Sequence, residues 1–405
     1  MREARFERRW EINGALQYHR GITGASDQRH DTACERADLA CSAALLLRAA
    51  KRLHYRRMGP SLLRSGARHG ALARLGLPAL SCCLVLGCVT PLVQTAPADS
   101  QEPRLEQDTA VMQDGARLPL RSWTPATAPH AVIVAVHGLN DHSGAFARAG
   151  EFLAARGFAV YAFDQRGFGR ARQTGIWAGG DRMADDAREV ARLLRIRHPD
   201  VPLYALGESM GGAVLLHALR RHPPGWIDAV VLSAPAIWGR SEMRRYQRMP
   251  LNALAHSVRG LKVSGRITGR KPSDDPATMR ALREDPLVIQ RTRVDVLWGL
   301  ADLMDAVTLE PIEPGVPVLV LYGARDEIVP AEPMCAWLEA LPDSGEWQAA
   351  LYPSGWHLLT RDRDAARALA DLAAWFENPG GGLPSGADLS VPVERVCALA
   401  GERGT

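Results

Sequence analysis

From about residue 110 onward, apolar residues fall into two alternating patterns: short continuous runs, and longer stretches at helical spacing. Ala131-Val-Ile-Val-Ala-Val136 is a run rich in β-branched residues, and one of that length reads as a strand covered on both faces. Ala159–Phe163, Leu203–Leu206, Ala229–Leu232, Val318–Leu321 and Trp347–Tyr352 read the same way. Helical spacing predicts helices over Ala145–Arg156, Met183–Arg197, Met210–Arg221, Pro330–Leu341 and Arg363–Phe376. Strand–helix alternation of this kind predicts βαβ units, hence an α/β fold with a mostly parallel sheet and helices on both faces. Upstream, residues 110–123 predict a hairpin turning at Asp114-Gly115.

The alternation breaks over about residues 236–308, which carry basic and Met-containing helical patterns without strand signals. This stretch is expected to be a mostly helical insertion above the sheet. Residues 89–104, with three prolines and no periodicity, read as a linker, so the folded domain is expected over 105–378. Residues 379–405 open on Pro-Gly-Gly-Gly and are expected to be a loose tail.

The overall formal charge of +4 changes the picture only through where it sits. Residues 1–87 hold fifteen Lys/Arg against seven Asp/Glu, and the remainder is slightly acidic, so no nucleic-acid partner is implied. Arg64, Arg68 and Arg74 precede the apolar run from Leu75 to Gly87, the order of an export signal. Gly76 and Pro78 interrupt that run, which is also short for a membrane span. Its end, Val85-Leu86-Gly87-Cys88, resembles a bacterial lipobox. Residues 58–88 are therefore expected to be a lipoprotein-like signal, with Cys88 lipidated and the protein held at the cell envelope facing the periplasm. A non-lipidated anchor or an amphipathic tail is the bland reading, and a cytoplasmic location the alternative. Residues 1–57 precede Met58 and are expected to be an over-extended start or a disordered extension. Of seven cysteines, Cys335 and Cys397 lie beyond the leader; in an oxidising compartment they pair or remain two free thiols. No CxxC or His/Cys cluster suggests a metal.

Candidate chemistry centres on Leu203-Tyr-Ala-Leu-Gly207-Glu208-Ser209-Met210-Gly211-Gly212, where a strand runs through Gly-x-Ser-x-Gly into a helix. A serine on so sharp a turn needs small neighbours, which Gly207 and Gly211 supply. The helix starting at Met210 offers its first amide to an oxyanion. A hydroxyl nucleophile needs a base, and the base needs an orienting acid. His357 follows the strand Trp347–Tyr352, at the same sheet edge as Ser209. His137 and His142 are its rivals, but they precede the serine, and His137 reads better as a structural hydrogen-bonding residue. Asp326, three residues past Gly323, is the expected acid, ahead of Glu327 and Asp343. The loop His137-Gly-Leu-Asn-Asp-His-Ser-Gly144 is expected to supply the second oxyanion amide, at Leu139.

Together, His137-Gly138…Ser143-Gly144, Asp164-Gln-Arg166-Gly167-Phe-Gly169, Gly207-Glu-Ser-Met-Gly-Gly212, Asp326 and His357 resemble the monoacylglycerol lipase and lysophospholipase branch of the α/β hydrolases. The resemblance covers roughly residues 108–377; Glu284-Asp285-Pro286-Leu287 sits where that family carries an Asp-Pro-Leu stretch in its cap. It implies an α/β-hydrolase fold with a helical cap, a triad of Ser209, Asp326 and His357, and oxyanion amides at Leu139 and Met210. It implies no metal or organic cofactor, and a small lipid ester as the partner. Asn140 and Arg170 depart from the family pattern where small residues are usual, and Glu208 beside the nucleophile reads as a buried structural carboxylate. Ile237, Trp238, Leu251, Leu254, Leu297 and Trp298 are expected either to contact an acyl chain or simply to pack the cap. A broader carboxylesterase, thioesterase or peptidase is the alternative function. For the peptidase, Glu242 and Glu284 are the cap carboxylates on offer. A non-catalytic binding member stands further off, because all three triad residues are present.

Overall fold

The computed structural model describes residues 90–95, 100–223, 225–265, 269–388 and 392–403. All of these belong to the second of two compact units, residues 76–405. The expectations for residues 1–88, Cys88 among them, lie outside the described residues.

Three short strands open the fold: β1 (Arg104–Leu105), β2 (Thr109–Val111) and β3 (Arg117–Trp123). They form an antiparallel meander turned at Asp114-Gly115, where Gly115 takes a φ of 77°. Strand and helix then alternate through β4 (Ala131–Val136), α1 (Ala147–Ala154), β5 (Phe158–Phe163), α2 (Gly180–Arg197), β6 (Leu203–Glu208), α3 (Met210–Arg221) and β7 (Ala229–Ser233). The insertion follows: α4 (Arg245–Ser257), β8 (Lys262–Val263), α5 (Pro276–Glu284), β9 (Thr292–Arg293) and α6 (Val294–Thr308). After it come β10 (Val318–Gly323), α7 (Ala331–Glu339), β11 (Trp347–Tyr352), α8 (Ala365–Glu377) and α9 (Pro392–Arg403).

Nine strands make one sheet in the order β1-β2-β3-β5-β4-β6-β7-β10-β11, parallel from β5 to β11. Every residue of β4, β5, β6, β7 and β10 is buried, which is why their sequences read as unbroken apolar runs. Within such a run the two-residue period still sorts side chains. Val132, Val134 and Val136 join the core under α2, α3, α6 and α7, while Ala131, Ile133 and Ala135 join the core under α1 and α8. In α2, the positions Met183, Ala184, Ala187, Val190, Ala191 and Leu194 form the buried stripe.

Three expectations need correction. The insertion is not strand-free, since Val263 pairs with Thr292 in the β8–β9 ladder; two-residue strands are too short to show a period. The tail is not loose. Its α9 buries Val396 completely, and Cys397 is disulfide-bonded to Cys335 of α7. Val393, Val396, Cys397 and Ala400 recur at helical spacing, a stripe that the preceding glycines mask. The linker, finally, is docked where it is described. Val93 bridges Trp177, the Gln94 amide donates to Trp177 O at 2.8 Å, Thr90 O accepts from Arg259 of the insertion at 2.7 Å, and Arg104 already belongs to β1. Among the described residues, no helix is long and apolar enough to cross a membrane.

Candidate active site

The carboxyl ends of β6, β10 and β11 lie at one edge of the parallel sheet, and each is followed by a residue singled out by its spacing. After β6, Ser209 adopts φ 54° and ψ −117°, a backbone conformation that costs a non-glycine residue of order 1–3 kcal/mol. The turn is held by the Ser209 amide donating to Ser233 O at 2.9 Å, and by Ser209 O accepting from Gly212 and Ala236 at 2.9 Å each. Its glycines are obligatory on contact grounds. A Cβ on Gly211 would lie 1.9 Å from Val136 O, and one on Gly207 would lie 2.7 Å from Gly211 O. Ser209 keeps partial exposure, while Met210 behind it is wholly buried at the first turn of α3, where backbone N–H groups lack helical partners.

Asp326 and His357 are brought together: His357 Nδ1 donates to Asp326 Oδ2 at 2.8 Å. The other carboxylate oxygen accepts from the Ile328 and Val329 amides at 2.7 and 3.0 Å, so the acid cannot rotate away. The loops carrying the two residues are stitched by Ala324 N to Tyr352 O and Arg325 N to Gly355 O, both 2.9 Å. Asp326 is fully buried and His357 nearly so. Burial disfavours the imidazolium, but the charge and hydrogen bond of Asp326, helped by Glu208, outweigh it and raise the His357 pKa above its ordinary 6.5. With Nδ1 committed, Nε2 is the nitrogen left to take a proton.

The rival residues are placed otherwise. His137 Nδ1 donates to Gly138 O at 2.8 Å and its Nε2 accepts from the Gln165 amide at 3.0 Å; complete burial lowers its pKa and keeps it neutral. His142 donates from Nε2 to Asp285 of the insertion at 2.9 Å and accepts the Gly144 amide at Nδ1. Glu327 and Asp343 are exposed. Leu139 is half-buried in the loop after β4, next to Gly138, whose added Cβ would meet Ser209 Cβ at 3.3 Å. The bond from His137 to Gly138 O orients the peptide plane that carries the Leu139 N–H. Of the named insertion residues, Ile237 is buried in the core, while Trp298 lies under the Arg240 guanidinium and meets His256 edge-on.

Arg361 escaped the sequence reading. Its guanidinium bonds Glu208, the residue before the nucleophile, at 2.5 Å, and Asp141 of the Leu139 loop at 2.8 Å. Burial presses the Glu208 carboxyl upward against the pull of Arg361, while for Asp141 the burial penalty is outweighed by the charge and hydrogen bond of Arg361 together with His137 and the His142 amide, which hold it below the usual carboxylate range. The one available clue was Glu208 itself, since a buried carboxylate demands a cation. Beside this network, a cavity of about 140 Å³ is lined by Asp141, His142, Leu282, Asp285 and Arg361. Cys335, Glu339 and Cys397 converge as metal ligands would, but the disulfide occupies both sulfurs.

The model of the Hydrolase_4 family, described as serine aminopeptidase, S33, matches residues 127–364, which hold Ser209, Asp326, His357, Leu139 and the insertion. The chain belongs to this family. It is a serine hydrolase of the α/β-hydrolase superfamily. It is 26% identical over 271 residues to a monoacylglycerol lipase of Mycolicibacterium smegmatis, covering 65% of this chain and 93% of that protein. It is 27% identical over 263 residues to monoglyceride lipase of Mus musculus, covering 62% and 83%. A solved soluble variant of monoglyceride lipase from Saccharomyces cerevisiae shares the fold at a TM-score of 0.56 and 19% identity, over 70% of this chain and 98% of that one. A monoacylglycerol lipase from Paleococcus ferrophilus does so at 0.53 and 24%, over 64% and 97%.

Proposed function

We propose that this Hydrolase_4 member cleaves carboxylic esters of lipids, monoacylglycerols or lysophospholipids foremost, through an acyl-enzyme on Ser209. The observation that carries the reading is the 2.8 Å bond between His357 Nδ1 and the pinned Asp326 carboxylate, at the sheet edge where Ser209 is thrust out of its turn. His357 Nε2 takes the hydroxyl proton as Ser209 Oγ bonds the ester carbon, and the Leu139 and Met210 amides hold the oxyanion. The alcohol departs with that proton. Water, deprotonated by His357, then releases the acid and restores the serine. The lipase relatives and the Asp285-Pro286-Leu287 stretch favour a lipid acyl chain. On the same reading, the protein is a lipoprotein anchored through Cys88 at the periplasmic face of a membrane.

The test is hydrolysis of a long-chain monoacylglycerol by purified residues 89–405, beside Ser209→Ala and a short-chain ester. Turnover of both esters, lost in Ser209→Ala, is the expected result. Turnover of the short ester alone sinks the lipid assignment. The aminopeptidase wording of the family description is met by adding an amino-acid anilide to the same assay. Glu242 and Glu284, the insertion carboxylates nearest that role in the sequence, are exposed, so no cleavage of the anilide is expected.

A further inference from the structure

The loop that presents the Leu139 amide is fastened at both ends, and the two fastenings differ. On its N-terminal side the bonds are internal to the sheet edge, His137 to Gly138 O and Gln165 to His137. On its C-terminal side Arg361 holds Asp141 and Asp164 holds the Ser143 amide, and three further bonds come from residues 285–292 of the insertion. Asn140 Nδ2 donates to Thr292 Oγ1 at 2.7 Å, the Ile289 amide donates to Asn140 O at 2.9 Å, and His142 Nε2 donates to Asp285 at 2.9 Å. Asn140 has a φ of 67°, the left-handed region that asparagine tolerates better than most side chains. Its peptide is thus bonded from both its oxygen and its side chain, immediately after the residue whose N–H faces the developing charge. Thr292 is buried and lies in β9, so the anchor is itself part of a ladder.

We propose that Asn140 is a positioning residue through which the insertion sets the oxyanion site, so that the Leu139 amide is in register only while residues 285–292 are seated. The proposal rests on the Ser209 acyl-enzyme reading. Oxyanion donors act through their placement before the reaction, so a small displacement lowers the rate without weakening the ester's ground-state binding. A residue that merely stabilised the loop would instead lower the unfolding temperature and leave the oxyanion's hold unchanged.

The experiment measures kcat and KM for a short-chain p-nitrophenyl ester, and the inhibition constant of a trifluoromethyl ketone whose hemiketal oxygen occupies the oxyanion site. The variants are Asn140→Gly, which keeps the positive φ, Thr292→Val, which removes only the acceptor hydroxyl, their double mutant, and Thr292→Ser. Each of the first two is expected to lower kcat about tenfold or more with KM within about twofold. The ketone should weaken in parallel with kcat/KM, the double mutant should be no worse than the poorer single, and Thr292→Ser should restore the rate. Undiminished kcat in folded Asn140→Gly overturns the proposal, as does a loss confined to KM or a lowered thermal midpoint with unchanged ketone affinity. Turnover surviving in Ser209→Ala marks a different failure, that of the acyl-enzyme reading, and takes this proposal with it.

Discussion

At the scale of single residues, the decisive feature is His357 held between burial and the Asp326 carboxylate. Because its pKa lies above 6.5, the neutral base is lost as pH falls through a value higher than that of a free histidine. The acid limb of kcat/KM for ester hydrolysis is therefore expected above pH 6.5. Asp326→Asn removes the charge that raises it, so the limb should move to lower pH while the rate falls by about 10⁴-fold. A pH–rate profile of both proteins checks this, and an unmoved limb would assign the titration elsewhere. The placement of Ser209, Asp326 and His357 after strands at one sheet edge was legible in the sequence, because the apolar runs before them are unbroken. Arg361, and the pairing of Asn140 with Thr292, were not. Bonds across 152 positions leave no periodic trace, and a lone arginine looks like any solvated one.

Elements explain why those residues stay where they are. The elbow works because β4, β6 and α3 approach with no room for side chains at Gly207 and Gly211. Gly211→Ala would drive a Cβ into Val136 O, a backbone atom that cannot swing aside. It is expected to cost about 3 kcal/mol or more and to abolish activity through misfolding, measured as a drop in unfolding midpoint. At the other end of the sheet, α9 is bound to α7 by Cys335–Cys397 across 62 residues. Cys397→Ser should lower stability by roughly 2–4 kcal/mol with the ester kinetics unchanged, and reductant should have the same effect on the wild type alone. The parallel strands from β4 to β11 and their helices were readable because their apolar runs and stripes are long enough to show; the two-residue β1 was not. The β8–β9 ladder spans a single period, too little to show a repeat, and α9 hides behind a glycine run that reads as an end.

For the whole molecule, the same sheet that carries the elbow also carries the insertion; alternation announced a mostly parallel sheet but not the order of its strands. The leader carries a prediction of its own. If Cys88 is acylated, a clickable palmitate analogue should label the full-length protein in a bacterial host, and Cys88→Ser should abolish both label and membrane sedimentation. The bond between Thr90 O and Arg259 then fixes a leash length. Only Val89 lies between Thr90 and Cys88, two chain steps with a reach of at most about 7 Å. Arg259 stands in the turn between α4 and β8, beside Val258 and Leu261, which are 45% and 43% exposed. So short a tether would leave the hydrolase no freedom to drift above the bilayer, and would hold its insertion at the lipid surface. Substrate would be drawn directly from the leaflet in which the anchor sits. A flexible spacer inserted after Cys88 should then slow hydrolysis of vesicle-embedded monoacylglycerol while leaving a water-soluble ester untouched.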